Sequence, residues 1–288
     1  LAPSEMCIRD RNSLIKKLSI KAIVGILAIA WLLITIVPFI FMLLAGFKQQ
    51  FEMLMGSVFD LPKSLYLKNF IDVFKGNMFI YFKNSILVLI VSLVILLFLS
   101  ACASYPLSRF KFKLNKPIYA IIVACMSVPV HVTLLPIFLM TTKMGLYDSP
   151  WALIGPYVAF NLPISVFILV TFMQAIPREL EEAAEIDGCN KYKIFSNVML
   201  PLVKPGLATL AIYNGVAIWN EFSFALVLTQ TLPNRTLPLA IWEYQGQYTM
   251  NVPMIMSVLT ISMLPMIIAF IFGQDKLIKG MMAGAVKG

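Results

Sequence analysis

Six apolar stretches dominate this sequence, at roughly 22–46, 85–107, 118–140, 151–173, 207–229 and 253–273. A helix needs about 20 apolar residues to cross the hydrocarbon of a bilayer, and one soluble core cannot bury six of them. The composition agrees: 60% of the 288 residues are hydrophobic and 13% charged, with mean hydropathy +0.86. Soluble domains average about 45–50% apolar and about 25% charged. The sequence therefore predicts an all-α integral membrane protein with six transmembrane helices. The first stretch is too long for a signal core and lacks a small-residue cleavage site, so it reads as a retained span.

Lysine and arginine orient the spans. With the N-terminus inside, the inner segments carry 16 of them and the outer segments 7. Residues 1–11, whose S-E-M-C-I-R-D-R resembles translated sequencing adapter, are set aside as a non-native extension, leaving 14 against 7 and one transmembrane domain over 12–288. An excess of positive charge beside the spans marks the cytoplasmic side. Both termini and the stretch 177–205 are then cytoplasmic. The net charge of +9 follows from this pattern and implies no nucleic-acid partner. Four cysteines, Cys7, Cys102, Cys125 and Cys189, lack metal-ligand spacing and read as small apolar residues.

The stretch 177–205 is the longest polar interruption in the second half. Pro177 suits a first helical turn, and Glu179, Glu181 and Glu182 favour the positive end of the helix dipole. Gly188 is a helix stop, because glycine accepts a left-handed backbone. A second short helix over about 190–199 puts Tyr192, Phe195, Val198 and Met199 on one face, and Pro201 ends it. By composition alone this is a surface helix pair.

Its spacing says more. Glu182-Ala183-Ala184, three residues, Gly188, nine residues, Val198, one residue, Leu200-Pro201 resembles the EAA signature of ABC-importer permeases, with Val198 in place of the usual Ile. Asn84-Ser85 opens the second span and Y-P-L-S-R-F-K-F over 105–112 closes it, similar to sugar-importer permeases, with Pro106 replacing a small residue and predicting a bend there. Trp219-Asn220-Glu221-Phe222 resembles the family's W-N-D-F. The ending Gly284-Ala285-Val286-Lys287-Gly288 resembles that of the second permease of maltose-type importers. The resemblance covers the chain from about residue 15 onward.

The resemblance implies a type I ABC-importer permease fold in a bacterial cell membrane. It implies a heterodimer with a second permease, a cytoplasmic ATPase dimer holding ATP and Mg, and an external solute-binding protein. In that family the loop, here Glu182, Ala183, Ala184, Asp187, Gly188, Val198, Leu200 and Pro201, docks on the ATPase. The tail 284–288 would reach it as well. The implied cargo is a sugar or oligosaccharide, moved by alternating access.

No G-x-x-x-x-G-K-[ST] phosphate loop, H-E-x-x-H or Ser/His/Asp set occurs, so the chain offers no catalytic residues and no cofactor site of its own. His131, the sole histidine, is either bonded to a carbonyl freed by Pro129 or lines a cavity; without nearby carboxylates it makes no metal site. Glu221 is the one carboxylate within an apolar stretch, and is either functional or an interfacial cap. Asn161, Asn214 and Asn220 either bond neighbouring helices or line the pathway. Prolines inside the third, fourth and sixth stretches predict bends, from irregular packing or from a moving cavity. Other readings are a permease for a sugar phosphate or amino acid, a secondary transporter, or a membrane-embedded enzyme. The docking motif, the scarcity of intramembrane carboxylates and the lack of a catalytic set argue against the last two.

Overall fold

A computed structural model describes residues 3–57, 60–246 and 250–285, with side chains described over 20–57, 60–246 and 250–274. Among these residues the chain is helical apart from a single β-bridge, Gln245 to Met250. The helices are α1 (Pro3–Gly46), α2 (Gln50–Met55), α3 (Lys68–Lys75), α4 (Met78–Arg109), α5 (Asn115–Cys125), α6 (Leu134–Lys143), α7 (Trp151–Ala175), α8 (Glu179–Ile186), α9 (Lys191–Ile194), α10 (Leu200–Leu202), α11 (Lys204–Trp219), α12 (Ser223–Leu228) and α13 (Val252–Ala285). Short 3-10 segments cover Val130–Thr133, Leu232–Asn234 and Leu237–Tyr244.

Among the described residues, four helices are long and apolar enough to cross a membrane: Ile20–Gly46 within α1, α4, α7, and Val252–Gln274 within α13. Backbone groups in hydrocarbon must be satisfied within the segment, which is why these stretches are helices. The other two stretches depart from single straight spans. The stretch at 118–140 is α5 and the Val130–Lys143 segment, bent by 90°. Pro129 sits at that bend in an extended conformation, where it interrupts the helical hydrogen bonding. The stretch at 207–229 is α11 followed by α12, because the helix stops at Trp219 and restarts after Phe222. Pro38, Pro156, Pro163 and Pro265 lie inside helices that continue through them. Pro106 likewise lies inside α4, which continues to Arg109.

Two of the apolar clusters among the described residues join most of the helices. Val88 of α4, Leu153 and Tyr157 of α7, Ile218 of α11 and Phe224 and Leu228 of α12 form one. Val73, Tyr81, Trp219, Leu237, Val258 and Ile261 form another, joining α3, α4, α11 and α13. The apolar part of α1 is left almost wholly exposed, as expected of a helix that faces lipid or another subunit.

Candidate functional site

The loop 177–205 folds as two short helices under one end of the bundle. α8 carries Glu179, Glu181 and Glu182 in its first turn, as the dipole argument requires. Gly188 has φ +82°, and the Cys189 N–H bonds the Ala184 carbonyl at 2.9 Å, closing the left-handed helix stop predicted for this glycine. The Asn190 side chain then caps the next helix, accepting from the Lys193 N–H at 2.9 Å.

The second helix differs from expectation at its C-terminal end and in its buried face. A π-turn occupies Phe195–Met199, with the Leu200 N–H bonding the Phe195 carbonyl. Pro201 therefore does not end the helix, which runs on to Leu202. The wide turn sits where the proline would otherwise clash with the carbonyl four residues back. A 68° bend separates this segment from α11. Tyr192 is also not on the buried face; Ile194 fills that place and Tyr192 is 85% exposed.

The motif residues divide between two faces. Ala184, Ile194 and Met199 are buried and Val198 and Phe195 partly so, packed with Tyr105 of α4 and Met173 of α7. Glu182, Ala183, Asp187, Gly188 and Pro201 face outward, with Leu200 half-buried. Beside them Ile186 is 86% exposed. Ile186 and Tyr192 are the side chains from which a partner would gain most by burial.

Sequence reading missed what fastens the loop. Arg109, at the end of α4, places Nε 2.6 Å from Glu181 Oε1, with both side chains largely buried. A guanidinium nitrogen of Arg109 also donates to the Ile176 carbonyl at 2.8 Å. The Tyr105 hydroxyl donates to Glu181 Oε2 at 3.3 Å, and its ring lies 5.2 Å from that of Phe195. A buried pair of this kind is costly to break, because either partner left alone is an uncompensated charge. In sequence, Arg109 reads as part of the 105–112 motif and as a positive charge beside a span, with nothing local to pair it with Glu181. By contrast the Lys191–Glu185 pair is exposed and contributes little.

The candidate pathway residues are scattered. Glu221 takes the capping reading: it accepts from the Phe224 N–H at 2.9 Å, the Ala225 N–H at 3.2 Å and the Tyr157 hydroxyl at 2.6 Å, fixing the start of α12. Asn214 is fully buried and donates to Ser165 Oγ at 3.0 Å, joining α11 to α7. Asn220 is exposed and lines a cavity of about 260 Å³ with Phe39, Met42, Trp219 and Ser262. His131 is exposed at the 90° bend. Of the tail, Gly284 and Ala285 end α13 without described side chains, and Val286, Lys287 and Gly288 lie outside the described residues.

On the opposite end of the bundle, Asp148 has φ +56° and ties two loops together. Its Oδ1 accepts from the Gln230 and Thr231 N–H groups at 2.8 and 2.9 Å, its Oδ2 accepts from the Thr231 hydroxyl at 2.7 Å, and its carbonyl accepts from the Asn234 amide at 2.6 Å. Burial pushes its carboxyl up, but these hydrogen bonds outweigh that and hold it below the ordinary 3.8.

The family model described as the binding-protein-dependent transport system inner membrane component matches residues 98–282, which include the whole 177–205 loop. A Caldicellulosiruptor chain named as an ABC transporter permease, ORF2, is 54% identical over 258 residues, 90% of this chain and 94% of that one. The arabinooligosaccharides transport system permease protein AraQ of Halalkalibacterium halodurans is 33% identical over 260 residues, covering 88% of this chain and 92% of its own. The crystal structure of a bacterial ABC transporter involved in the import of the acidic polysaccharide alginate contains a chain of the same fold. It has a TM-score of 0.75 at 20% identity, over 96% of this chain and 98% of that one.

Proposed function

The chain belongs to the binding-protein-dependent transport system inner membrane components, the multi-pass permeases of ABC transporters, and we propose that it is the second permease of a sugar importer. The observation that carries this reading is the loop 177–205. It is held rigidly from above, and it presents Glu182, Ile186, Asp187 and Tyr192 to a partner. The partner is an ATPase dimer, which binds ATP and Mg; this chain carries no phosphate loop and performs no hydrolysis. A second, unlike permease covers the exposed α1 and completes the pathway. An external solute-binding protein delivers cargo. The tail 284–288 adds a second contact to the ATPase. Both termini lie in the cytoplasm, on the strength of the charge asymmetry.

The named function of the arabinooligosaccharide relative supports an oligosaccharide as cargo. Asn220 and His131, exposed at breaks between helices, are the side chains available to the pathway; Glu221 caps the break after α11, and Asn214 ties α11 to α7. Such breaks permit two arrangements of the bundle, which alternating access requires.

The test is reconstitution of the affinity-purified complex in proteoliposomes with arabinooligosaccharides outside. Uptake that needs both the binding protein and internal ATP is the expected result. Uptake driven by a proton gradient without ATP would establish a secondary transporter instead.

A further inference from the structure

We infer that Arg109 at one end of α4, and Asn84 with Ser85 towards the other, are positioning residues that make this helix a strut between the docking loop and the outer loops. The inference rests on the reading of 177–205 as the ATPase-docking element.

The two ends are built alike. At the docking end, Arg109 holds both sides of a joint. α7 leads into α8 through Ile176, whose backbone is extended, and Pro177, so the covalent connection is not a continuous helix. Arg109 grips the Ile176 carbonyl on one side of that joint and Glu181 on the other, while Tyr105 touches Glu181 and the Phe195 ring of the second short helix. Displacement of the loop is thereby delivered to α4 as well as to α7.

At the outer end, the Asn84 amide donates to the carbonyls of Pro233 and Arg235, at 2.7 and 2.9 Å. Ser85 Oγ accepts from the Leu237 N–H at 2.8 Å. Both side chains are buried. The segment they hold is tied in turn to the loop before α7, through the Asn234 amide and the Asp148 carbonyl. Outer loops of a permease are where cargo arrives.

Between the two latches α4 is unbroken, and its one proline, Pro106, lies in the last turn. From Ser85 to Arg109 the rise is about 36 Å at 1.5 Å per residue, enough to cross the hydrocarbon. The routes through α5–α6 and α11–α12 are bent or interrupted instead. The N-S opening and the R-F-x-F ending of this span, which the docking loop by itself leaves without a role, are the two latches.

The experiment uses the full complex, with ATPase, second permease and binding protein, in proteoliposomes. Asn84→Ala, Ser85→Ala, Arg109→Lys and Tyr105→Phe are compared. Three quantities are read: membrane abundance, ATPase subunit retained, and ATP hydrolysis with and without loaded binding protein. Coupling between two sites is commonly worth a factor of about 5 to 150. The expected result is normal abundance and retention, with stimulation by binding protein reduced at least about 5-fold at either latch. Combining Asn84→Ala with Arg109→Lys should be no worse than the stronger single change, since both cut one strut. Should Arg109→Lys fail to assemble, Tyr105→Phe takes its place in the pair. Effects that multiply, or undiminished stimulation when Asn84 and Ser85 are both changed, would overturn the strut. Failure of the docking reading itself shows differently, as full ATPase retention and full uptake in Glu182→Lys.

Discussion

Gly188 and Asp148 both have a left-handed backbone, for different reasons and with different consequences. A Cβ built on Gly188 meets nothing within 4 Å, so a side chain there is strained but unobstructed in this chain alone. Gly188→Ala should cost about 1 kcal/mol of local stability and leave membrane abundance unchanged. Gly188→Val, bulkier on the outward face of the loop, should lower the amount of ATPase recovered with the purified chain; equal recovery would place Gly188 outside the proposed interface. Asp148 tolerates φ +56° because its carboxylate is held by surrounding donors. An acid whose folded pKa is depressed adds stability above its ordinary value of 3.8, lost as pH falls through the lower folded value. Asp148→Asn should therefore destabilise the purified protein by about 1–2 kcal/mol at neutral pH. Its melting temperature should also change less than the parent's on acidification below 3.8, which a thermal-shift titration measures. The Gly188 turn was legible because a glycine after a glutamate-rich helix has a local cause. The grip of Arg109 and Tyr105 on Glu181 was not, since Tyr105 precedes Glu181 by 76 residues and nothing local pairs them.

At the level of elements, hydrophobic length located the four long apolar helices of the described residues, because it depends only on the bilayer. It did not locate the breaks. α11 stops at Trp219, inside the fifth apolar stretch, because Glu221 caps a new helix there with help from Tyr157 on α7. That is a tertiary cause. Pro201 was read as a stop because the π-turn before it has no sequence signature. Pro201→Ala supplies the missing N–H and lets the segment relax towards a regular α-helix, shifting the outward face of the loop. Uptake should fall several-fold with insertion unchanged; normal uptake would show that the register of this segment is unimportant. Packing between α11 and α7 gives a second test. A Cβ on Gly206 would lie 3.0 Å from Phe172 Cγ and 3.2 Å from both Cδ atoms, against the face of the ring. Gly206→Ala should cost about 1–3 kcal/mol, read as a lower melting temperature of the purified chain.

For the whole molecule, the charge asymmetry and the docking loop make one joint statement about sidedness. In a cysteine-free background, single cysteines at Lys113 and Lys193 should be shielded from an impermeant thiol reagent in intact cells, and one at Asn234 should label. Shortening the chain by residues 283–288 should weaken coupling between ATP hydrolysis and transport without loss of insertion. The central claim is that the outward face of the 177–205 loop seats in an ATPase. The most direct measurement replaces Ile186 or Tyr192, the two most exposed large apolar side chains of that loop, with a photo-crosslinking residue in the assembled complex. The account predicts crosslinks to the ATPase subunit from both positions, with yields that change when ATP is added, and none from Asn234. Absence of ATPase crosslinks at both positions, in a complex that still transports, would contradict it.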